Sequence, residues 1–315
     1  MKVLVMALLI CLSINLLAQP YEGEKGDVNN DGNLNVLDII FTSRHIVGID
    51  TLNEQELWRA DCNSHKGSCR GDGSVDIRDA KKIVDIIMRL DECLELPKDI
   101  DGNIYDIVKI GHQVWMAENL KVTRYRNGDP IPNITSNSEW THMSTGAYCN
   151  YANDAHNVPV YGRLYNWYAV NDSRGLAPEG WHVPTDGEWK QLEMDLGMSQ
   201  SEADDKYLRG RDEGGKLKAT GTIEGGDGLW FSPNTGATNE SGFSALPGGD
   251  RYGDYGPFYS MGYLARFWSS TELDGSYAWY RRLSHSNSQV YRGNYLKQDG
   301  FSVRCVRDWV CPANP

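Results

Sequence analysis

The chain has 315 residues, a formal net charge of −12, and 40% hydrophobic against 23% charged positions, which describes a globular protein with length for two domains. Its 43 acidic residues outnumber 31 Lys and Arg, and no basic cluster appears, so a nucleic-acid partner is excluded and docking on anionic membrane is disfavoured.

Residues 1–18 read as a signal peptide. Lys2 supplies a short positive start, Val3 to Leu17 is almost wholly apolar, and Leu16-Leu17-Ala18 ahead of Gln19 suits cleavage. The run is shorter than the roughly 20 residues of a membrane helix, and no second apolar run is long enough to span a bilayer. Ile10, not a small residue, precedes Cys11, so the segment reads as ordinary secretion without lipid attachment. The expected location is extracellular, secreted or at the cell surface, with attachment by protein contact.

Export makes disulfides the expected state of the remaining cysteines, Cys62, Cys69, Cys93, Cys149, Cys305 and Cys311. Many pairings are open. Cys62 and Cys69 close a small loop and are expected to pair. Composition then divides the mature chain: residues 19–97 hold three aromatics, Tyr21, Phe41 and Trp58, and residues 98–315 hold the other thirty. That shift predicts a module over 19–93, a linker over 94–97, and a second domain over 98–315.

The first module carries a calcium loop. Asp27, Asn29, Asp31, Asn35 and Asp38 stand at positions 1, 3, 5, 9 and 12 of a twelve-residue stretch, with Gly32 at position 6 where such a loop turns sharply. Asn33 is placed to offer its carbonyl. Calcium takes six to eight oxygens, and this spacing gathers them around one point. A helix follows, with Val36, Ile39, Ile40, Ile46 and Val47 on its apolar face and Gly48 at its end. The pattern then returns as Asp61, Asn63, Asp72, Asp76 and Asp79, with Ser74 offering a carbonyl, followed by Ile77, Ala80, Ile83, Val84, Ile87 and Leu90 at helical spacing. Eight residues separate Asn63 from Asp72 where the first loop has one. A Cys62–Cys69 disulfide would pinch off most of that insert. A zinc reading of Cys62, His65 and Cys69 offers three ligands where a structural site needs four, so the disulfide is preferred.

Two calcium loops, each followed by a single helix, resemble a type I dockerin over residues 26–91. The resemblance implies a small all-α module that binds two calcium ions and docks on a cohesin-type partner. Positions 10 and 11, where that family partly sets partner choice, hold Val36-Leu37 and Ile77-Arg78; neither is the familiar Ser-Thr pair, and because the pairs are unequal a symmetric dual binding mode does not follow from the resemblance.

In the second domain, the runs Tyr105 to Ile110, Gln113 to Trp115 and Phe301 to Val306 read as short strands among Gly, Asn and Pro turns. One helix is expected, with Thr185 and Glu188 forming a capping box and Trp189, Leu192 and Leu196 its apolar stripe. The class is α+β, with a small antiparallel sheet and long loops. Six strings then occur in order: Gly111-His-Gln-Val-Trp115-Met-Ala-Glu-Asn119-Leu120, Tyr161-Gly-Arg-Leu-Tyr165-Asn-Trp-Tyr-Ala169, Gly180-Trp-His-Val-Pro184-Thr-Asp-Gly-Glu-Trp189, Ser241-Gly-Phe-Ser-Ala-Leu-Pro247-Gly-Gly, Trp268-Ser-Ser-Thr-Glu272 and Gly300-Phe-Ser-Val-Arg-Cys-Val306. Together they resemble the FISUMP domain, the major paralogous domain of Fibrobacter succinogenes, over 98–308. The resemblance implies a C-type-lectin-like fold related to formylglycine-generating enzymes, in a family with no settled activity. Relatives often carry Cys where this chain has Ala177, which leaves Cys149 and Cys305 free to pair or leaves one of them alone. In such folds the chain ends lie close, which implies a Cys93–Cys311 clasp.

No catalytic motif of a zinc protease or serine hydrolase occurs. Cys305 and Cys311 are the late cysteines that related oxidases would use, and disulfide is their expected state. His182 and His285 are expected in hydrogen-bonding or surface roles. Most Trp and Tyr are expected in the core of a domain poor in Leu and Ile, and the Gly- and Tyr-rich stretch 225–263 is the expected ligand surface. The chain is therefore expected to be a non-catalytic protein, docked by its first module and displaying its second to polysaccharide or cell-surface material. The competing reading is a glycoside hydrolase or other catalyst within a polysaccharide-degrading system.

Overall fold

The computed structural model describes residues 96–308, together with a two-residue backbone pairing of Ile14–Asn15 with Ser74–Val75. Apart from the backbone of Ile14, Asn15, Ser74 and Val75, the signal segment, both calcium loops and Cys62, Cys69, Cys93 and Cys311 lie outside the described residues.

Within them, the order runs β1 (Ile107–Ile110), β2 (Gln113–Met116), α1 (Asn137–Thr141), β3 (Tyr148–Cys149), α2 (Val158–Tyr161), β4 (Leu164–Tyr165), α3 (Trp167–Val170), α4 (Asp186–Asp195), α5 (Gln200–Asp204), β5 (Tyr207–Arg209), α6 (Glu213–Leu217), β6 (Gly248–Arg251), β7 (Phe258–Met261), β8 (Leu264–Glu272), β9 (Tyr277–Ser284), β10 (Val290–Leu296) and β11 (Val306–Asp308). Mixed α+β is thus the observed class.

β1 and β2 make a tight hairpin at Gly111, whose φ of +58° suits glycine, and β11 pairs antiparallel with β2 through Val306 and Trp115. The first and last strands of the domain therefore flank β2 in one three-stranded sheet. The larger sheet has six strands in the order β5-β10-β9-β8-β6-β7, antiparallel except where Ala265 of β8 meets Gly249 of β6. It is broader than the small sheet expected. β8 to β10 escaped the sequence reading because both faces of these strands are largely buried, which removes the polar alternation of an ordinary strand. The expected Phe301–Val306 strand forms isolated bridges, and regular pairing begins only at Val306.

The expected helix is α4. Thr185 Oγ1 accepts from Glu188 N at 3.2 Å, and Thr185 N donates to Glu188 Oε2 at 2.7 Å, completing the capping box. Five helices of four or five residues join it, where one helix was expected. None among the described residues is long and apolar enough to cross a membrane.

Trp189 and Leu192 of α4 enter a core built on aromatic rings. Trp115 lies 4.8 Å from Trp189, and Phe243 and Phe267 close the group at 5.7–5.9 Å from Trp189. Edge and tilted pairs of this kind add about 0.5–1.5 kcal/mol each beyond their buried area.

A buried ionic lattice bolts α4 to the sheet. Asp186 and Glu193 lie two turns apart on one helix face. Arg281 of β9 donates to Asp186 Oδ1 and to Glu193 Oε1, each at 2.7 Å. Arg292 of β10 reaches Asp186 at 2.7 Å, and Arg209 of β5 reaches Glu193 at 2.6 Å. Arg281 and Arg292 face one another across the ladder, a repulsive pair unless an anion sits between them, and Asp186 does.

Lys218 performs a similar task for the long connection after α6. Its buried ammonium donates to the carbonyls of Thr235, Ser284 and Asn287 at 2.9–3.0 Å, and burial lowers its pKa to about 8.

Burial works against ionised Asp186, yet the hydrogen bond from Arg292 and the charge of Arg281 hold its pKa down to about 2. Because the folded value is depressed, the stabilisation is present above the unfolded value of about 4 and is lost as pH falls toward 2. Asp186→Asn leaves two buried guanidinium groups short of a counter-charge. It should cost roughly 3–5 kcal/mol in urea unfolding at pH 7, and the deficit should shrink below about pH 3.

Candidate binding face

Alternation along β8, β9 and β10 sends one set of side chains to the core and the other to the outer face of the sheet. The core set includes Ala265, Phe267, Arg281, Leu283 and Val290. On the opposite face, cross-strand register puts Arg266 against Arg282, Arg282 against Tyr291, and Tyr291 against Leu208. Tyr280 lies two residues from Arg282 on the same face, and Tyr295 lies four from Tyr291.

These rings form a continuous line. Tyr207 and Tyr291 are 5.9 Å apart between centroids, Tyr291 and Tyr280 5.9 Å, and Tyr280 and Tyr295 5.6 Å. The line then passes to the β6–β7 hairpin, through Tyr252 at 6.2 Å from Tyr295 and Tyr259 at 4.8 Å from Tyr252. Tyr280 is buried beneath its neighbours, whereas Tyr207 and Tyr259 at the two ends are 65% and 47% exposed. The guanidinium of Arg282 lies 4.0 Å over the Tyr291 ring.

The hairpin is held from below by two arginines. Arg251 is fully buried, with Trp140 and Phe258 rings within 4.8 Å of its guanidinium, and donates to the carbonyls of Gly256, Ile134 and Thr135. Gly256, at φ +85°, leaves no room for a side chain because Asn137 lies 2.6 Å from where its Cβ would stand. Arg266 pairs with buried Asp250 at 3.3 Å, and Asp299 accepts from Gly253 N at 3.0 Å. Asp250 Oδ1, Asp299 Oδ2 and Arg266 Nε are buried without a hydrogen-bond partner. Burial raises Asp250 above the usual carboxylate range and pushes Asp299 up to about 8.

The expected surface over 225–263 thus contributes only in part. Tyr252, Tyr255 and Tyr259 reach the face or its rim, while Trp230 and Phe243 from the same stretch are core. Tyr207, Leu208, Arg282, Tyr291 and Tyr295 were missed. Their signal was available in Tyr280-Arg281-Arg282 and Tyr291-Arg292-Gly293-Asn294-Tyr295, where one arginine of each run faces the core and the tyrosines face out. All eight tryptophans among the described residues are buried, as expected for most of them, so the exposed aromatic surface is tyrosine.

Residues weighed for catalysis are not brought together. His182 Nε2 lies 2.5 Å from Glu188 Oε1 beside the α4 capping box. His285 packs edge-on against Tyr263 at 5.1 Å. Cys149 and Cys305 are free and buried, which corrects the expected disulfide state of both. Cys149 sits in β3 among Trp140, Ala147 and Leu164, whereas Cys305 precedes β11 with its carbonyl bonded to Met116 N. Burial pushes the Cys149 thiol up to about 12 and raises Cys305 as well, so both are protonated, weak nucleophiles at neutral pH. Another cleft is walled by charges already committed to one another. It has a volume of about 310 Å³ and holds Arg174, bound to Asp172 at 2.8 Å and Asp129 at 3.2 Å. Among the described residues, no group of three or more His, Cys, Asp or Glu is placed to hold a metal ion.

The strings quoted from the sequence prove to be one another's structural partners. Buried Arg304 donates to Asn119 Oδ1 at 2.7 Å and to the carbonyls of Met116 and Phe243 at 2.9 and 2.6 Å, joining three strings. Trp268 Nε1 donates to Tyr165 O at 2.8 Å, and Trp167 Nε1 to Ser269 O at 2.9 Å, joining two more. A family model described as the Fibrobacter succinogenes major domain matches residues 108–307. The chain belongs to this family. Neither the curated proteins nor the solved structures contain a match. The six strings therefore hold this fold together, and the tyrosine face lies largely outside them.

Two outcomes are expected here. A thiol reagent at pH 8 should leave Cys149 and Cys305 unmodified in the folded protein and label both after denaturation; labelling of either thiol at the rate of a free cysteine would contradict their burial. The second concerns Asp299, whose folded pKa is raised. Its contribution to stability is complete below the unfolded value of about 4 and is lost as pH rises through about 8. Asp299→Asn should flatten that slope, so thermal unfolding should show the variant overtaking the parent toward pH 9.

Proposed function

We propose that this chain is a secreted, non-catalytic display protein, docked through its first module to a cohesin-type partner and presenting the tyrosine face of its family domain to surface material. The observation that carries the display half is the split among aromatic side chains. Every described tryptophan is spent on the core, while five tyrosines that are partly or largely exposed, Tyr207, Tyr291, Tyr295, Tyr252 and Tyr259, flank buried Tyr280 on the opposite side of the sheet. Broad, largely pre-formed surfaces with amphipathic rings suit binding of extended ligands, because Tyr adds contact area at little cost in conformational entropy. The lectin-like architecture implied by the family strings accords with this use.

The docking half rests on the donor set of the two loops. Asp27, Asn29, Asp31, Asn33, Asn35 and Asp38 would hold one calcium ion, and Asp61, Asn63, Asp72, Ser74, Asp76 and Asp79 a second. Cys62–Cys69 closes a short span, so its effect on the unfolded chain is modest, about 2–3 kcal/mol. Its larger effect is to hold Asn63 near Asp72, sparing calcium the ordering of the insert.

Calorimetric titration of the full chain should show two calcium sites, with a gain of helix by circular dichroism. Cys62→Ser with Cys69→Ser should weaken one site and spare the other. Absence of calcium binding would remove the docking half. Turnover on a panel of plant and host glycans, abolished by one carboxylate substitution, would overturn the non-catalytic half.

A further inference from the structure

We infer that the outer face of the six-stranded sheet binds an anionic polysaccharide, with Arg282 as the residue that recognises its negative groups. The inference rests on the display reading above and adds the ligand class and the determinant.

The argument starts from charge. Arg266 and Arg282 stand directly opposite one another on β8 and β9, an arrangement that costs stability unless each charge is matched. Asp250 matches Arg266 at 3.3 Å. Asp299, the other carboxyl beneath this face, is raised by burial and is substantially protonated at neutral pH. No carboxylate lies within ion-pair distance of Arg282 among the described residues, and its Nε is buried without an acceptor. An uncompensated guanidinium in a chain of net charge −12 is a local exception to the composition, and it faces outward. Tyr291 holds it in place, with its ring 4.0 Å from the guanidinium.

The shape of the face selects an extended ligand. Six tyrosines from Tyr207 to Tyr259 run across the sheet at successive centroid spacings of 4.8–6.2 Å; Tyr280 in the middle is buried, and Leu208 is the exposed aliphatic side chain that the register places beside them. A protein partner would bury an aliphatic centre ringed by polar groups. Here the reverse holds: rings bearing hydroxyls flank a lone cation. Sugar rings present polarised C–H groups to aromatic faces and hydroxyls to tyrosine oxygens, and an acidic sugar adds the anion that Arg282 lacks. Carboxylate and sulfate groups share this chemistry.

The test is calorimetric titration of the full chain with polygalacturonate, chondroitin sulfate and neutral amylose. Binding of either anionic polymer, weakened by added salt and absent with amylose, is expected. Arg282→Gln should reduce that affinity about tenfold, the loss of one charge-assisted hydrogen bond, without lowering the melting temperature. Tyr291→Phe should retain binding and Tyr291→Ala should lose it, which separates a stacking role from simple misfolding. Equal affinity for amylose, undisturbed by Arg282→Gln, would overturn the inference and leave the display reading standing. Failure to bind any of the three polymers would overturn it too, as would self-association abolished by Arg282→Gln, which would make the occupant a second copy of the chain. The display reading fails separately, by catalytic turnover.

Discussion

The lattice of Asp186 and Glu193 with Arg209, Arg281 and Arg292 is the constraint on which the domain depends. It joins one helix to three strands in a region with side-chain exposure of 10% or less, where desolvation alone would forbid five charges. What makes the arrangement tolerable is saturation. Each carboxylate receives two guanidinium groups, and Arg281 bridges both. A buried network of this kind adds less net stability than its contacts suggest, but it tolerates few alternatives. Slipping β9 against β10 by one residue would carry Arg281 to the outer face and put Arg282 into the core beside uncompensated acids. The core charges therefore fix the register, and the register fixes which tyrosines face out. The tyrosine face is a geometric consequence of the ionic core beneath it.

A second economy follows from composition. A domain poor in Leu and Ile builds its interior from tryptophan, phenylalanine and arginine, and each arginine satisfies backbone groups that long loops leave without ladder partners. Arg251 and Arg304 together donate to carbonyls of Ile134, Thr135, Gly256, Met116, Phe243 and Ser244 while stacking on buried rings. Buried carbonyls must be paired, and a guanidinium with five donors serves several loops at once. Arg304 does this so far from water that its pKa falls to about 9 through desolvation. The family strings are legible in these terms as a set of mutual fasteners.

The parts of the fold legible in the sequence were those governed by local rules. The capping box of Thr185 and Glu188, the apolar stripe of α4, and the β1–β2 hairpin at Gly111 all follow from neighbours within a few residues. β8 to β10 did not, because a strand buried on both faces carries arginine where pattern reading expects valine. The tyrosine face was half visible for the same reason. Glycine and tyrosine marked the hairpin that carries Tyr252 and Tyr259, but Tyr291 and Tyr295 gain their meaning from cross-strand partners nine or more residues away. Cys149 and Cys305 illustrate the limit of counting: an even number of cysteines says nothing about distance, and these two lie in different parts of the core.

The same chain is acidic overall and positive at the point where the proposed ligand would be read. These facts are compatible because they act over different ranges. At physiological ionic strength the net charge of −12 is screened beyond about 8 Å, so a polyanion approaching the sheet feels chiefly the groups of that face. Long-range steering would then contribute little to the association rate, and affinity would reside in the short-range contacts of Arg282 and the tyrosines. The acidic remainder of the surface has its own effect, since a polyanion bound anywhere else meets repulsion. Specificity on such a protein comes as much from what its general surface rejects as from what one uncompensated arginine accepts.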